Sequence, residues 1–387
     1  MNNFIIVVLD GVGIGELPDS KNYSDEGSDT LGNMAEKLGG LNLPNLENIG
    51  LGNIKPIKGI RKVETPSASF GKLNEVSAGK DSTTGHWELG GLKVEIKFPY
   101  YPNGFPDEII NKFLQETGCK GILGNCAASG TEIIKELGAE HVRTGFPIVY
   151  TSADSVFQIA AHEEIIPLEK LYEICKISRG KVMTGKDAVG RIIARPFIGI
   201  EGSFTRTTNR KDFSLAPPMP TILDVCLKAG IDTYAIGKIN DLFNYKGIKH
   251  QLKTKSNQEG INKIIETCRN VKGSFIFANL VDFDVYYGHR NDPEGFHKGL
   301  QELDVRIPEI LNSVDETDSL IFTADHGNDP TDISTDHTRE YVPLLYYRKK
   351  ITGKNLGIRK TFSDVAQTAA EFFGLKNNLQ GISFLNE

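Results

Sequence analysis

Apolar residues along this chain gather into short, nearly unbroken runs, and several of these runs stop on a charged residue. Residues 5–9 end at Asp10, residues 233–237 at Lys238 and residues 320–324 at Asp325, while residues 274–281 lead into Asp282 and Asp284. The runs are rich in β-branched residues and show no alternation with polar positions, which is the pattern of strands buried on both faces of a parallel sheet. Between them the apolar spacing changes to a helical period over 222–229, 260–269 and 296–311. Strand and helix alternate, so the pattern predicts an α/β fold on a mostly parallel, doubly wound sheet. In such sheets the ligand crevice lies beyond the carboxyl ends of the strands. The residues that stop the runs are therefore expected to share one site.

Residues 99–215 read differently. This segment opens on F-P-Y-Y-P-N-G-F-P, closes at A-P-P-M-P, and mixes helical stretches such as T-E-I-I-K-E-L-G with strand-like ones such as V-G-R-I-I-A-R-P. Prolines at both borders suggest linkers. A smaller α+β cap domain is predicted over 99–215, inserted between core parts 1–98 and 216–387. The length, 387 residues, exceeds what one hydrophobic core usually fills.

Composition narrows the function classes. A net charge of -6 gives no electrostatic reason to bind nucleic acid or an anionic membrane, so the expected partners are small molecules. An anionic substrate would need a local basic site. Five scattered cysteines form no C-x-x-C pair, which favours reduced thiols in the cytoplasm. The first apolar run is too short for a signal segment or a membrane span.

The chemistry concentrates in a few stretches. T-A-D-H-G-N-D-P-T-D-I-S-T-D-H contains Asp325, His326 and His337; V-D-F-D-V-Y-Y-G-H-R contains Asp284 and His289; Asp10 ends the first run. A single histidine is more often a surface or core residue, but three of only eight fall in these two stretches beside aspartates. Six such ligands are too many for one four-coordinate zinc and suit two cations a few ångströms apart. Carboxylate with imidazole suits Mn²⁺, with Zn²⁺ and Mg²⁺ as alternatives. Two metals imply phosphoryl or sulfuryl transfer.

A nucleophile is expected in G-K-D-S-T-T-G-H-W-E-L-G, where hydroxyl residues follow Asp81 at a helix start. There backbone N–H groups would face an incoming phosphate. An ordinary helix cap is the competing account. The glycines of D-G-V-G-I-G fit neither G-x-G-x-x-G nor a P-loop, and are expected to let the backbone pass close to Asp10. Arg191, Arg195, Arg206 and Arg210 fall in one stretch, and guanidinium suits bidentate phosphate contact. A solvated basic face explains any one of them equally simply. Lys238 joins them as a candidate.

With these residues assembled, the chain resembles the phosphopentomutases, a family of the alkaline phosphatase superfamily. The stretches that carry the resemblance are V-L-D-G-V-G-I-G-E-L-P-D, G-K-D-S-T-T-G-H-W-E, Y-T-S-A-D-S-V-F-Q-I-A-A-H-E-E, R-I-I-A-R-P, F-T-R-T-T-N-R, N-L-V-D-F-D-V-Y-Y-G-H-R, T-A-D-H-G-N-D-P and T-D-H-T-R-E-Y-V-P-L-L. They span almost the whole chain. The resemblance implies an alkaline-phosphatase-like core in two parts, an inserted cap, and two Mn²⁺ per chain. By position, Asp10, Asp325 and His326 would hold one ion, near the nucleophile, and Asp284, His289 and His337 the other.

The implied reaction moves phosphate between the C1 and C5 oxygens of ribose or 2-deoxyribose, interconverting ribose 1-phosphate and ribose 5-phosphate. A sugar bisphosphate, ribose 1,5-bisphosphate or glucose 1,6-bisphosphate, would activate it. The family carries Thr directly after Asp in its nucleophile motif, and here Ser82 stands at that position. Phosphorylated Ser82 is expected to give its group to a pentose monophosphate, forming a 1,5-bisphosphate that reorients and returns the other phosphate. Asp154, Arg191, Arg210 and Lys238 are expected to grip the sugar and its distal phosphate, and the cap to exclude water.

Three other readings compete. A hydrolase on the same metal core would let water resolve the phosphoenzyme. A phosphoglycerate mutase would show N-S-E-x-G-H at the nucleophile. A metal-stabilised binding protein would need only a closed four-ligand site. The expected assembly is a monomer or a weak homo-oligomer.

Overall fold

The computed structural model describes residues 2–95, 97–152 and 155–387, so Asp154 lies outside the described residues. In chain order the strands are β1 (Phe4–Leu9), β2 (Ala68–Leu73), β3 (Leu123–Ala127), β4 (Ile148–Thr151), β5 (Val156–His162), β6 (Arg191–Ile198), β7 (Thr205–Arg206), β8 (Lys211–Ser214), β9 (Thr233–Ile236), β10 (His250–Leu252), β11 (Phe275–Leu280), β12 (Ser319–Thr323), β13 (Val342–Tyr347) and β14 (Asn355–Arg359). The chain divides into two compact units, Met1–Ile96 with Pro217–Glu387, and Lys97–Ala216.

The first unit is built on one eight-stranded sheet in the order β10-β9-β11-β1-β12-β13-β2-β14. The five strands from β10 to β12 are parallel. The next two pairings, β12 with β13 and β13 with β2, are antiparallel, and β14 returns parallel to β2. Every residue of β1, β11 and β12 is buried, as unbroken apolar runs require when both faces of a sheet are covered.

Side chains set where the covering helices begin. Ser256 accepts the Glu259 N–H at the start of Asn257–Asn270. Thr221 and Asp224 form a capping box before Ile222–Lys228, and Asp292 followed by Pro293 opens Pro293–Ser313.

Register does the positioning. Val8 lies opposite Thr323 and Leu9 opposite Leu280, so Asp10 leaves the sheet level with Asp325 and beside the turn that leads to Asp284. All these residues follow the carboxyl ends of parallel strands, as does Lys238 after β9.

The second unit carries a six-stranded mixed sheet, β3-β4-β5-β6-β7 with β8 paired to β6. Alternate residues of β4 and β5 serve two cores. Val149, Phe157 and Ile159 pack with Phe113, Leu171 and Ile174, while Ile148, Tyr150 and Ala160 pack with Ile133 and Phe197. The helices Asp107–Thr117, Gly130–Thr144 and Leu168–Ile177 supply those covers.

Candidate metal centre

Three buried carboxylates and their imidazole neighbours meet at the carboxyl edge of the first unit's sheet. Asp10, Asp284 and Asp325 are each no more than 2 % exposed. Left uncompensated, such charges would be costly. Their ion-pair neighbours among the described residues are imidazoles. His326 Nε2 lies 3.4 Å from Asp10 Oδ1 and 3.3 Å from Asp325 Oδ2. Asp284 faces His289 Nε2 and His337 Nε2, each at 3.3 Å. Two groups of potential ligand atoms result, Asp10–Asp325–His326 and Asp284–His326–His337, with the atoms of each group within 4.8 Å of one another. His326 belongs to both groups, and His289 joins through Asp284.

Backbone carbonyls orient the rings. His326 Nδ1 lies 3.0 Å from the Gly327 oxygen and His289 Nδ1 2.6 Å from the Thr335 oxygen. With those nitrogens donating, both Nε2 atoms are aimed at the carboxylates, the arrangement by which carbonyl partners fix a metal-binding tautomer. Asp10 Oδ1, Asp325 Oδ2 and His337 Nε2 are buried without a hydrogen-bond partner. Buried polar atoms are normally satisfied, and unsatisfied oxygens beside a bare imidazole nitrogen are the donor set a divalent cation completes. The residues present fit two such cations.

The fields in this cluster are strong. Burial would raise Asp284, but His337, His289 and His326 outweigh it and hold the carboxyl well below the ordinary range. Burial likewise opposes ionisation of Asp325, yet His326 and His86 bring it down to about 2. Burial alone would lower His289, while Asp284 lifts it to about 9. His326 is driven well above its usual value by Asp325, Asp10 and Asp284 against the same burial.

Ser82 is brought to this edge by the helix Ser82–Leu89, of which it is the first residue. Asp81 caps the helix, accepting the Thr84 N–H at 3.1 Å and its hydroxyl at 2.6 Å. Ser82 Oγ lies 3.1 Å from His326 Nε2. The helix runs against the Asp325 backbone, and a Cβ on Gly85 would stand only 2.0 Å from the Asp325 carbonyl oxygen.

Three residues of this centre escape the sequence reading. His86 Nδ1 donates to the Ser82 carbonyl at 2.8 Å and approaches Asp325 Oδ2 at 3.0 Å. Asn279 Nδ2 donates to Asp10 Oδ2 at 3.0 Å and to His86 Nε2 at 3.1 Å. Asn328 Nδ2 donates to Asp284 Oδ1 at 2.7 Å. Two signals were present. His86 follows Ser82 by four residues, one helical turn, and Asn279 is a lone polar residue inside a buried apolar run.

Lys238 is half-buried at the start of the short helix Ile239–Leu242, on the same edge of the sheet. Arg191 and Arg210 belong to the second unit, where both approach Asp212. Arg210 does so through two 2.8 Å hydrogen bonds and Arg191 at 3.7 Å.

Comparison with known proteins adds a family. The model of the metalloenzyme superfamily matches residues 2–377. Phosphopentomutase of Dictyoglomus turgidum is 56% identical, over 100% of this chain and 98% of the relative. Phosphopentomutase of Clostridium kluyveri is 54% identical over 99% and 98%. Among solved structures, the PH0037 protein of Pyrococcus horikoshii aligns over 98% of both chains with a TM-score of 0.51 at 13% identity. Phosphoglycerate mutase of Leishmania mexicana aligns over 99% and 97% with a TM-score of 0.50 at 12% identity. These two likenesses speak for the fold, which is the alkaline-phosphatase-like one.

Proposed function

Because the chain belongs to the phosphopentomutase family of the metalloenzyme superfamily, and is thus an isomerase that shifts a phosphoryl group within a small molecule, we propose that it interconverts ribose 1-phosphate and ribose 5-phosphate, and the 2-deoxyribose pair, through phosphorylated Ser82. One observation carries this: Ser82 Oγ, on the first turn of a buried helix, stands 3.1 Å from His326 inside the ligand set. Divalent cations bound there, Mn²⁺ by choice of donors, would neutralise charge on the phosphoryl group and favour the ionised serine.

The chain's own groups do the rest. Asp81 and His86 hold the first turn of the helix, so its free N–H groups face a phosphate on Ser82. Ser82 passes its phosphoryl group to the free hydroxyl of a pentose monophosphate, breaking one P–O bond and forming another. The resulting 1,5-bisphosphate turns over, and its second phosphate returns to Ser82. A sugar bisphosphate, ribose 1,5-bisphosphate or glucose 1,6-bisphosphate, loads the serine at the start.

Asp154, Arg191, Arg210 and Lys238 are the proposed grips on sugar and distal phosphate. The unpaired state of all five cysteines and the lack, among the described residues, of a helix long and apolar enough to cross a membrane support work in the cytoplasm.

The test follows ribose 5-phosphate with a trace of sugar bisphosphate by ³¹P NMR on the Mn²⁺-loaded protein. Ribose 1-phosphate without inorganic phosphate is expected, and Ser82→Ala should abolish it. Release of inorganic phosphate alone would make the chain a hydrolase. Arg191→Ala should lower kcat/KM by about tenfold or more, since a charge-assisted contact is worth roughly 1.5 kcal/mol or above; a change within twofold removes Arg191 from the site.

A further inference from the structure

Arg339 is 2 % exposed, among the bulkiest side chains enclosed so completely. Strand register puts it there. β2 and β12 both pair antiparallel with β13, so β2 runs parallel to β12 and releases the chain at the edge that carries Asp325. Leu73 lies opposite Val342, which sets Glu75, just past β2, across from Arg339, just ahead of β13. Residues 74–81 then run up to Ser82, while Arg339 follows closely on His337.

The guanidinium uses all five of its N–H groups. Nη1 donates to Glu75 Oε2 and to the Gly79 carbonyl, each at 2.6 Å. Nη2 donates to the Glu75 carbonyl at 3.0 Å and to Asp19 Oδ2 at 3.1 Å, and Nε donates to Asp19 Oδ1 at 3.2 Å. The guanidinium carbon stands 4.8 Å from the centre of the Tyr23 ring, whose hydroxyl donates to the Ala78 carbonyl at 2.7 Å. The Arg339 N–H donates to Asp25 Oδ2 at 2.8 Å, and Lys80 reaches both Asp25 oxygens at 3.0 Å. Arg339, Tyr23 and Asp25 thus grip the loop at Glu75, Ala78, Gly79 and Lys80. Glu88, near the far end of the serine's helix, accepts the Val76 and Ser77 N–H groups, so loop and helix are joined into one piece.

Fold stability is a poor account of so many buried charges. Glu75 is 3 % exposed and its Oε1 has no hydrogen-bond partner among the described residues. Apolar residues of similar volume are often as stable as a buried ion pair, or more so. What they do not supply is direction, whereas a fork of N–H groups fixes two carboxylates and two carbonyls at set angles. We propose that Arg339 is a positioning residue for phosphoryl transfer: it locks the loop 75–80 to the segment that carries His337, and so sets Ser82 Oγ in its place among the candidate metal ligands. This rests on the mutase reading and adds to it a residue that acts only through the serine's loop.

Arg339→Lys tests it, because lysine keeps the charge between Glu75 and Asp19 but gathers its donors on one nitrogen in place of the fork. In the full-length, Mn²⁺-loaded protein, given ribose 5-phosphate and a trace of sugar bisphosphate, kcat should fall about 100-fold while KM stays within about twofold. Hydrogen exchange read by mass spectrometry should quicken about tenfold or more over 75–82 and match the wild type over 4–9 and 275–280. Asp19→Ala, at a side chain 42 % exposed, frees only Nε and one Nη2 donor. It should give the same pattern in weaker form, with kcat down about tenfold, and it carries the test should Arg339→Lys fail to fold. Wild-type kcat in the folded variant would overturn the proposal, even with a lowered Tm, because Arg339 would then serve the fold alone. Faster exchange spread evenly over loop and strands would overturn it too. A wild-type chain that forms no ribose 1-phosphate would instead sink the mutase reading, and exchange over 75–82 would still decide whether Arg339 holds the loop.

Discussion

Asn279 shares its side-chain nitrogen between two partners, Asp10 and His86, and so ties a candidate metal-binding carboxylate to the imidazole that holds the Ser82 carbonyl. Replacing it with leucine keeps the volume and removes both bonds. Groups in this supporting position typically change metal affinity by about 10–100-fold, so Asn279→Leu should weaken Mn²⁺ binding by that order in calorimetry, while the chain stays folded; unchanged affinity would reduce Asn279 to packing. The histidines give a second prediction. His289, lifted to about 9 by Asp284, is expected to hold an additional proton at pH 7 in the metal-free chain. A metal ligand must be neutral, so Mn²⁺ uptake at pH 7 should release protons and tighten as pH rises towards 9. Titration heats in buffers of different ionisation enthalpy read that release directly, and heats independent of buffer would contradict it.

At the scale of elements, the helix Ser82–Leu89 matters most and was the least legible. All eight of its residues are buried, so no apolar stripe marks it; only Asp81 with the hydroxyls behind it pointed to a helix start. Its placement depends on Gly85 lying against Asp325. Gly85→Ala puts a methyl 2.0 Å from a backbone oxygen, which must push the helix and Ser82 away from His326. A displacement near 1 Å can cost about 100-fold in rate, so kcat should fall by that order with a lowered Tm; wild-type kcat in a folded variant would show that the helix is not held there. Four of the parallel strands were easy to read, because β1, β9, β11 and β12 are apolar runs ended by polar residues, while the short β10 and the edge strand β14 were not read. The antiparallel β2 and β13 were not read. β13 contains Pro343, which argues against a central strand. The structure accommodates it because β12 pairs with β13 only from Leu345 to Tyr347, leaving Pro343 beside β2 alone.

Across the whole molecule, the six expected metal ligands sit in one of two compact units, although they span positions 10 to 337. Ligand binding to the native state alone stabilises it by about 2.7 kcal/mol at a concentration of 100 times Kd. In calorimetry, Mn²⁺ should therefore raise the transition of the first unit, and chelation should lower it, while the second unit's transition stays nearly fixed; equal shifts of both would argue against the assignment. The sequence made the candidate ligands conspicuous because they are charged residues that end buried strands. It hid Asn328, whose contact with Asp284 exists only once separate segments meet, and it marked His86 and Asn279 only faintly, by helical spacing and by a lone polar residue in an apolar run.

The place of β1 has a last consequence. Strand β1 is held between β11 and β12, so its apolar surface finds its neighbours only after some 266 further residues have emerged (275 minus 9). At about 5–20 residues per second that is a wait of roughly tens of seconds on the ribosome. During that interval the nascent F-I-I-V-V-L segment is a sticky, unpaired edge, so the cost of this architecture falls on biosynthesis and on the chaperones that shield growing chains.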